Sequence, residues 1–122
     1  AVDRAAEKLR YRVAFYGSTP AYRGVFDIHG LSDLGVKLHE ASRKGQWSEM
    51  AAMVPDDVLD LFAVRATYDK LADAVADRFG GIADAVSVDF LPDDDERTRR
   101  KVVDGLKAIP SGFQGFRTSW TA

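Results

Sequence analysis

The sequence contains no cysteine. Disulfides and thiolate metal sites are therefore excluded, and a reducing, cytoplasmic compartment is the expected location. Histidine is scarce, with two residues, His29 and His39. Neither stands at a short ligand spacing from an Asp or Glu motif, so no metal site is expected. No apolar run approaches the roughly 20 residues of a bilayer span. No basic stretch followed by an apolar one marks a signal peptide. Neither sign of charge dominates: 17 basic and 19 acidic residues leave a formal net charge of −2. Such a balance offers no field for nucleic acid or an anionic membrane, and neither is expected as a partner. Nucleophile motifs, phosphate loops and dinucleotide fingerprints are also missing.

What is present is a globular composition. The 122 residues are 46% hydrophobic and include seven Phe, four Tyr and two Trp. That suffices for a core and is too apolar for disorder. Residues 1–122 read as a single segment with no interdomain linker and no internal repeat. The sequence opens at Ala1 in what reads as mid-helix, so a longer natural protein is the expectation.

Helical periodicity dominates. Val2, Ala5, Ala6, Leu9, Val13 and Tyr16 share one helical face, with charged residues filling the other. Gly17-Ser18-Thr19-Pro20 then stops and restarts the helix. Gly17 is expected to take the positive φ of a C-terminal cap, Thr19 to cap the next helix, and Pro20 to fill its first position. That short helix runs to His29 and Gly30. Leu31, Leu34, Leu38 and Ala41 mark another, capped by Ser32 or Asp33 and ending near Lys44-Gly45. Trp47, Met50, Met53 and Val54 form one side of a further short helix, expected in the core. Another starts at Pro55-Asp56-Asp57. Tyr68, Leu71, Ala72, Val75, Ala76 and Phe79 give the clearest helix, stopped by Gly80-Gly81. A last helix opens at Asp93–Glu96 and carries Val102, Val103, Leu106 and Ile109.

One segment breaks the pattern. In 85–90, Val86, Val88 and Phe90 alternate with Ser87 and Asp89, the period of a strand. The chain is thus predominantly α-helical with one clear strand. A lone strand leaves its ladder groups unpaired. Its partners are expected from a missing part of the polypeptide or from a second copy.

Three stretches resemble the luciferase-like monooxygenase superfamily, in its deazaflavin-dependent oxidoreductase branch. The first is Val13–His29, Val-Ala-Phe-Tyr-Gly-Ser-Thr-Pro-Ala-Tyr-Arg-Gly-Val-Phe-Asp-Ile-His. Ser-Arg-Lys-Gly-Gln-Trp-Ser-Glu-Met at 42–50 is the second. Asp56–Phe90, through the Arg-Phe-Gly-Gly of 78–81, is the third. The Ala-Phe-Tyr-Gly-Ser-Thr-Pro-Ala-Tyr-Arg run is the most specific of these. Arg65-Ala66-Thr67 stands where that family tends to carry a glycine turn. The resemblance implies an α/β fold, a (β/α)8 TIM barrel of which this chain is the C-terminal third. It implies hydride transfer with a deazaflavin coenzyme, or with FMN as the alternative, and in a monooxygenase version action on paired donors with oxygen. A small-molecule substrate and a homo-oligomer go with that reading. The chain by itself is expected to be inactive, because much of the cofactor contact lies on earlier strands.

Candidate site residues follow. Tyr16, Ser18, Thr19, Tyr22 and Arg23 surround a helix start whose N–H groups and dipole favour an anionic or oxygen-rich ligand. The structural alternative is that Thr19 only caps its helix, the tyrosines pack in the core and Arg23 is a solvated charge. Asp89, with Ser87, would lie at the C-terminal end of a barrel strand, the active-site end in such folds. Its alternative is an interior ion pair. His29 is expected at a helix end and His39 at the surface. Asp93-Asp94-Asp95-Glu96 reads as a solvated helix start. A rival reading of the whole chain is a small non-enzymatic helical module that self-associates through its single strand.

Overall fold

A computed structural model describes residues 2–112. The chain divides into two compact units, Ala1–Arg65 and Ala66–Ala122. Among the described residues there are seven α-helices and no strand.

The first unit holds α1 (Val2–Gly17), a 3₁₀ turn at Pro20–Tyr22, α2 (Arg23–Ile28), α3 (Ser32–Arg43), α4 (Trp47–Met50), a 3₁₀ turn at Ala51–Met53 and α5 (Asp56–Phe62). Its core joins Ala6 and Ala14 of α1 to Phe26, Leu38, Met50, Val54 and Leu59. Phe26 and Phe62 stack at 5.5 Å between ring centroids. Burying these apolar side chains together supplies the main driving force for the unit.

Arg10 ties the unit's ends together. Its Nη1 donates to the Val54 carbonyl at 2.6 Å and its Nη2 to Asp56 Oδ1 at 2.6 Å. Arg65 grips Asp60 in a two-pronged pair at 2.7 and 2.9 Å.

Several sequence expectations need correction here. Gly17 remains inside α1 and is not a left-handed cap; positive φ occurs at Gly30, Gly45 and Gly81. Gly17 is needed for a different reason. A β-carbon there would lie 2.3 Å from Phe26 Cζ and 2.7 Å from Cε2. Neither Ser32 nor Asp33 caps α3. Leu31 holds that position without a side-chain bond, and the Ser32 hydroxyl donates to Asp27 Oδ1 at 2.6 Å instead.

The second unit contains α6 (Leu71–Phe79) and α7 (Glu96–Lys107). The two helices pack on each other, and a β-carbon on Gly105 would stand 3.2 Å from that of Ala72. Leu71, Val75, Leu91 and Val102 are buried. Helix α7 starts at a true cap: Asp95 accepts the Thr98 N–H at 2.8 Å. Tyr68 is not the first residue of α6. It sits in the preceding turn, where Lys70 N–H reaches the Thr67 carbonyl at 2.9 Å, and its hydroxyl donates to Asp94. Burial first, and then that bond, push its phenol pKa above the usual tyrosine value.

The expected strand at 85–90 is not formed; these residues are irregular. The alternation of Val86, Val88 and Phe90 is real, but a strand exists only as part of a ladder. Among the described residues none forms a β-ladder with this segment. The Gly- and aromatic-bearing tail beyond Gly112 lies outside the described residues.

Candidate functional site

The last turn of α1 buries one side and exposes the other. Ala14 and Gly17 face the core, whereas Phe15 and Tyr16 face outward. Tyr16, placed by its spacing on the apolar face of α1, is instead exposed beside Phe15. The Pro20–Tyr22 turn then brings Tyr22 back beside Tyr16, with ring centroids 5.1 Å apart and planes at 69°. Phe15 meets Tyr16 edge-on at 5.6 Å and Trp47 at 6.0 Å. These four rings form a continuous row, each 41–47% exposed. Trp47 was expected in the core with Met50; Met50 is buried, and Trp47 joins the row.

Beneath the rings the turn is closed by its own bonds. Ser18 is buried, and its hydroxyl donates to the Phe15 carbonyl at 2.6 Å. The Thr19 hydroxyl donates to the same carbonyl at 3.2 Å. Thr19 occupies the N-cap position of the 3₁₀ turn but makes no capping bond. The Tyr22 N–H is taken by the Thr19 carbonyl at 3.0 Å, and the Arg23 N–H by that of Pro20. Both hydroxyls and these two amides are thus committed to the fold.

His39 holds the turn from α3. Its Nδ1 lies 3.0 Å from the Ser18 carbonyl. A carbonyl can only accept, so Nδ1 carries the hydrogen of this bond. His39 is half-buried, not at the surface as its charged neighbours in sequence suggested. No local spacing signals this contact, because it spans the α1–α3 packing. His29 does end its helix: its N–H bonds to the Phe26 carbonyl at 3.1 Å and its ring sets its edge against Phe62.

Arg23 follows Tyr22 directly. It is partly buried, and its Nε is covered with no acceptor among the described residues. Of the sequence candidates, Tyr16 and Tyr22 are in ring contact, Ser18 and Thr19 form the turn under them, and Arg23 adjoins. Asp89 belongs to the second unit and is half-buried there. Among the described residues no group of three or more His, Asp or Glu could hold a metal ion. None of the described helices is long and apolar enough to cross a membrane.

Comparison with known proteins adds to this geometry. Uncharacterised proteins of Mycobacterium tuberculosis and Mycobacterium bovis are 41% identical over 87 residues, covering 71% of this chain and 26% of theirs. The match thus spans about a quarter of the length of these relatives. A 5,10-methylenetetrahydromethanopterin reductase of Archaeoglobus fulgidus is 34% identical over 80 residues, covering 60% of this chain and 23% of the reductase. No family model matches the chain, and no solved structure matches it.

Proposed function

We propose that this chain is part of a longer oxidoreductase of the luciferase-like kind, which passes hydride between a small-molecule substrate and a deazaflavin, with FMN as the alternative cofactor. The observation that carries the reading is the 34% identity over 80 residues to a protein named as a reductase. It supports the same class that the Ala-Phe-Tyr-Gly-Ser-Thr-Pro-Ala-Tyr-Arg run suggests. When bound, the cofactor supplies the atom that accepts or donates hydride; the protein supplies position and electrostatics.

The residues present fit a peripheral contact with such a ligand. Arg23 would face an anionic portion, and Tyr16 and Tyr22 would offer ring surface. Ser18 and Thr19 would act through the turn that holds Tyr16 and Tyr22, because their hydroxyls already serve Phe15. This piece forms one edge of a site whose remaining walls come from elsewhere in the full-length protein. In that protein 85–90 would find its ladder partners in a barrel.

The test is made on the protein expressed from its natural gene. Its intact mass is compared with the 13.4 kDa of this chain, and deazaflavin and FMN are titrated against it by fluorescence. A mass well above 13.4 kDa with saturable binding of either cofactor is the expected result. A folded protein that binds neither would overturn the proposal.

A further inference from the structure

We infer that Tyr68, Asp94 and Arg99 form a clamp on Leu91 that holds residues 85–90 ready to pair, as a β-strand, with the rest of the full-length polypeptide. The inference rests on the reading that this chain is part of a longer protein. It goes beyond that reading by giving three side chains a positioning role. All of them belong to the second unit. Asp94 Oδ2 accepts the Leu91 N–H at 2.6 Å and also the Tyr68 hydroxyl. Arg99 Nη2 donates to the Leu91 carbonyl at 2.8 Å and, more loosely, to that of Pro92 at 3.3 Å. The Leu91 side chain is itself buried. Both backbone groups and the side chain of one residue are therefore fixed, directly after the alternating segment. Phe90 is held by the same groups: its ring centroid lies 5.9 Å from that of Tyr68 and 5.9 Å from the Arg99 guanidinium carbon. The other end is anchored too, since the Ala83 N–H reaches the Phe79 carbonyl at 3.0 Å.

Successive side chains of a strand point to opposite faces. With Phe90 set against Tyr68 and Arg99, Val86 and Val88 would share that side, and Ser87 and Asp89 would take the other. A slip of one residue would exchange the two sets. A pin on both backbone groups of Leu91 opposes such a slip. Residues 85–87 are exposed, where a neighbouring strand can reach them. The segment also lies between α6 and α7. That order is the one in which a strand meets parallel neighbours through helical crossovers of its own chain. The match to the mycobacterial proteins spans 26% of their length, so most of such a polypeptide lies outside this chain and is the partner the clamp fits.

Hydrogen exchange of the full-length protein, read by mass spectrometry, tests this. The amides of 85–90 are expected to exchange at least about a hundredfold more slowly than in an unfolded chain, and to stay slow on dilution. Tyr68→Phe keeps the ring and loses the bond to Asp94. It should speed exchange at 85–90 by about tenfold while α6 and α7 keep their rates. Arg99→Met should act in the same way, and Arg99→Lys, which keeps a donor, should restore part of the protection. Exchange of 85–90 at the unfolded-chain rate would overturn the inference. Protection lost on dilution would overturn it as well, by assigning the partner strand to a second copy. Variants that leave 85–90 as slow as in the parent, or that loosen α6 and α7 equally, would remove the clamp. Cofactor titration is a separate readout. A protein that protects 85–90 and binds neither deazaflavin nor FMN would sink the oxidoreductase reading and leave this one standing. Cofactor binding with 85–90 unprotected would do the reverse.

Discussion

The ring of Phe26 occupies the space that a side chain on Gly17 would need: a β-carbon there would come within 2.3 Å of Phe26 Cζ. The ring has little room to give way, being 3% exposed and stacked on Phe62. Leu38 Cδ1 closes the third side at 3.0 Å from that same position. The turn that carries Ser18, Thr19 and Tyr22 therefore depends on a glycine inside α1.

Gly17→Ala sets two effects against each other. Alanine improves a helix by about 1 kcal/mol, whereas overpacking a core costs about 1–3 kcal/mol. The overlap involves two ring atoms of a pinned side chain, so overpacking wins. A net loss of about 1–2 kcal/mol is expected in urea unfolding. Gly24→Ala is the control, since a β-carbon there meets nothing within 4 Å. It should be neutral or stabilising by up to ~1 kcal/mol. Equal behaviour of the two variants would contradict the packing.

Asp56 makes stability depend on pH. The hydrogen bond from Arg10 and then the charge of Arg65 hold its carboxyl below the usual aspartate range. A depressed folded-state value means that the folded state binds its proton less readily than the unfolded chain does. The contribution is thus fully present above the ordinary aspartate value and is lost as pH falls through the depressed one. The gap in urea midpoint between the parent and Asp56→Asn should be widest near neutrality and close in acid. A gap that persists unchanged to strongly acid pH would refute the assignment.

Asp95 caps α7 through the Thr98 N–H and also accepts the Thr98 hydroxyl, both at 2.8 Å. Asp95→Ala should cost about 1 kcal/mol. Asp95→Asn, which keeps an acceptor oxygen, should recover most of it. Thermal melts of the three proteins decide this; an Asp95→Ala melt identical to the parent would remove the cap from the account.

His39 should tolerate asparagine better than leucine. The asparagine amide can present a donor near the Nδ1 position and keep the bond to the Ser18 carbonyl. Leucine leaves that half-buried carbonyl without it, at a cost of about 1 kcal/mol or more. Hydrogen exchange at residues 17–22 reads the effect locally, with faster exchange expected only for His39→Leu.

How much of this was legible in the sequence depends on the range of the interaction. Helix α6 could be read from its apolar face, and Leu71 and Val75 are indeed buried. Its start could not, because Tyr68 is drawn into a turn by Asp94, a partner 26 residues away. Gly30 and Gly45 behave as helix-ending glycines, a local property. Gly17 has the same local signature but answers to Phe26. The alternation in 85–90 was visible, yet pattern cannot supply a ladder partner. In the candidate site, Tyr16, Tyr22 and Arg23 were found from their neighbourhood of a turn. The part of Phe15 and Trp47 in the ring row emerges only when α4 packs near α1. The inward orientation of the Ser18 and Thr19 hydroxyls follows from competition by the open Phe15 carbonyl at the end of α1, a general tendency of such residues at helix ends.

Cofactor binding by the protein expressed from its natural gene, followed through the fluorescence of deazaflavin and, separately, of FMN, decides whether this chain belongs to an oxidoreductase of the luciferase-like kind. Saturable quenching of one of the two, with stoichiometry near one per chain, is expected. A folded full-length protein that leaves both signals unchanged would contradict an oxidoreductase of this kind.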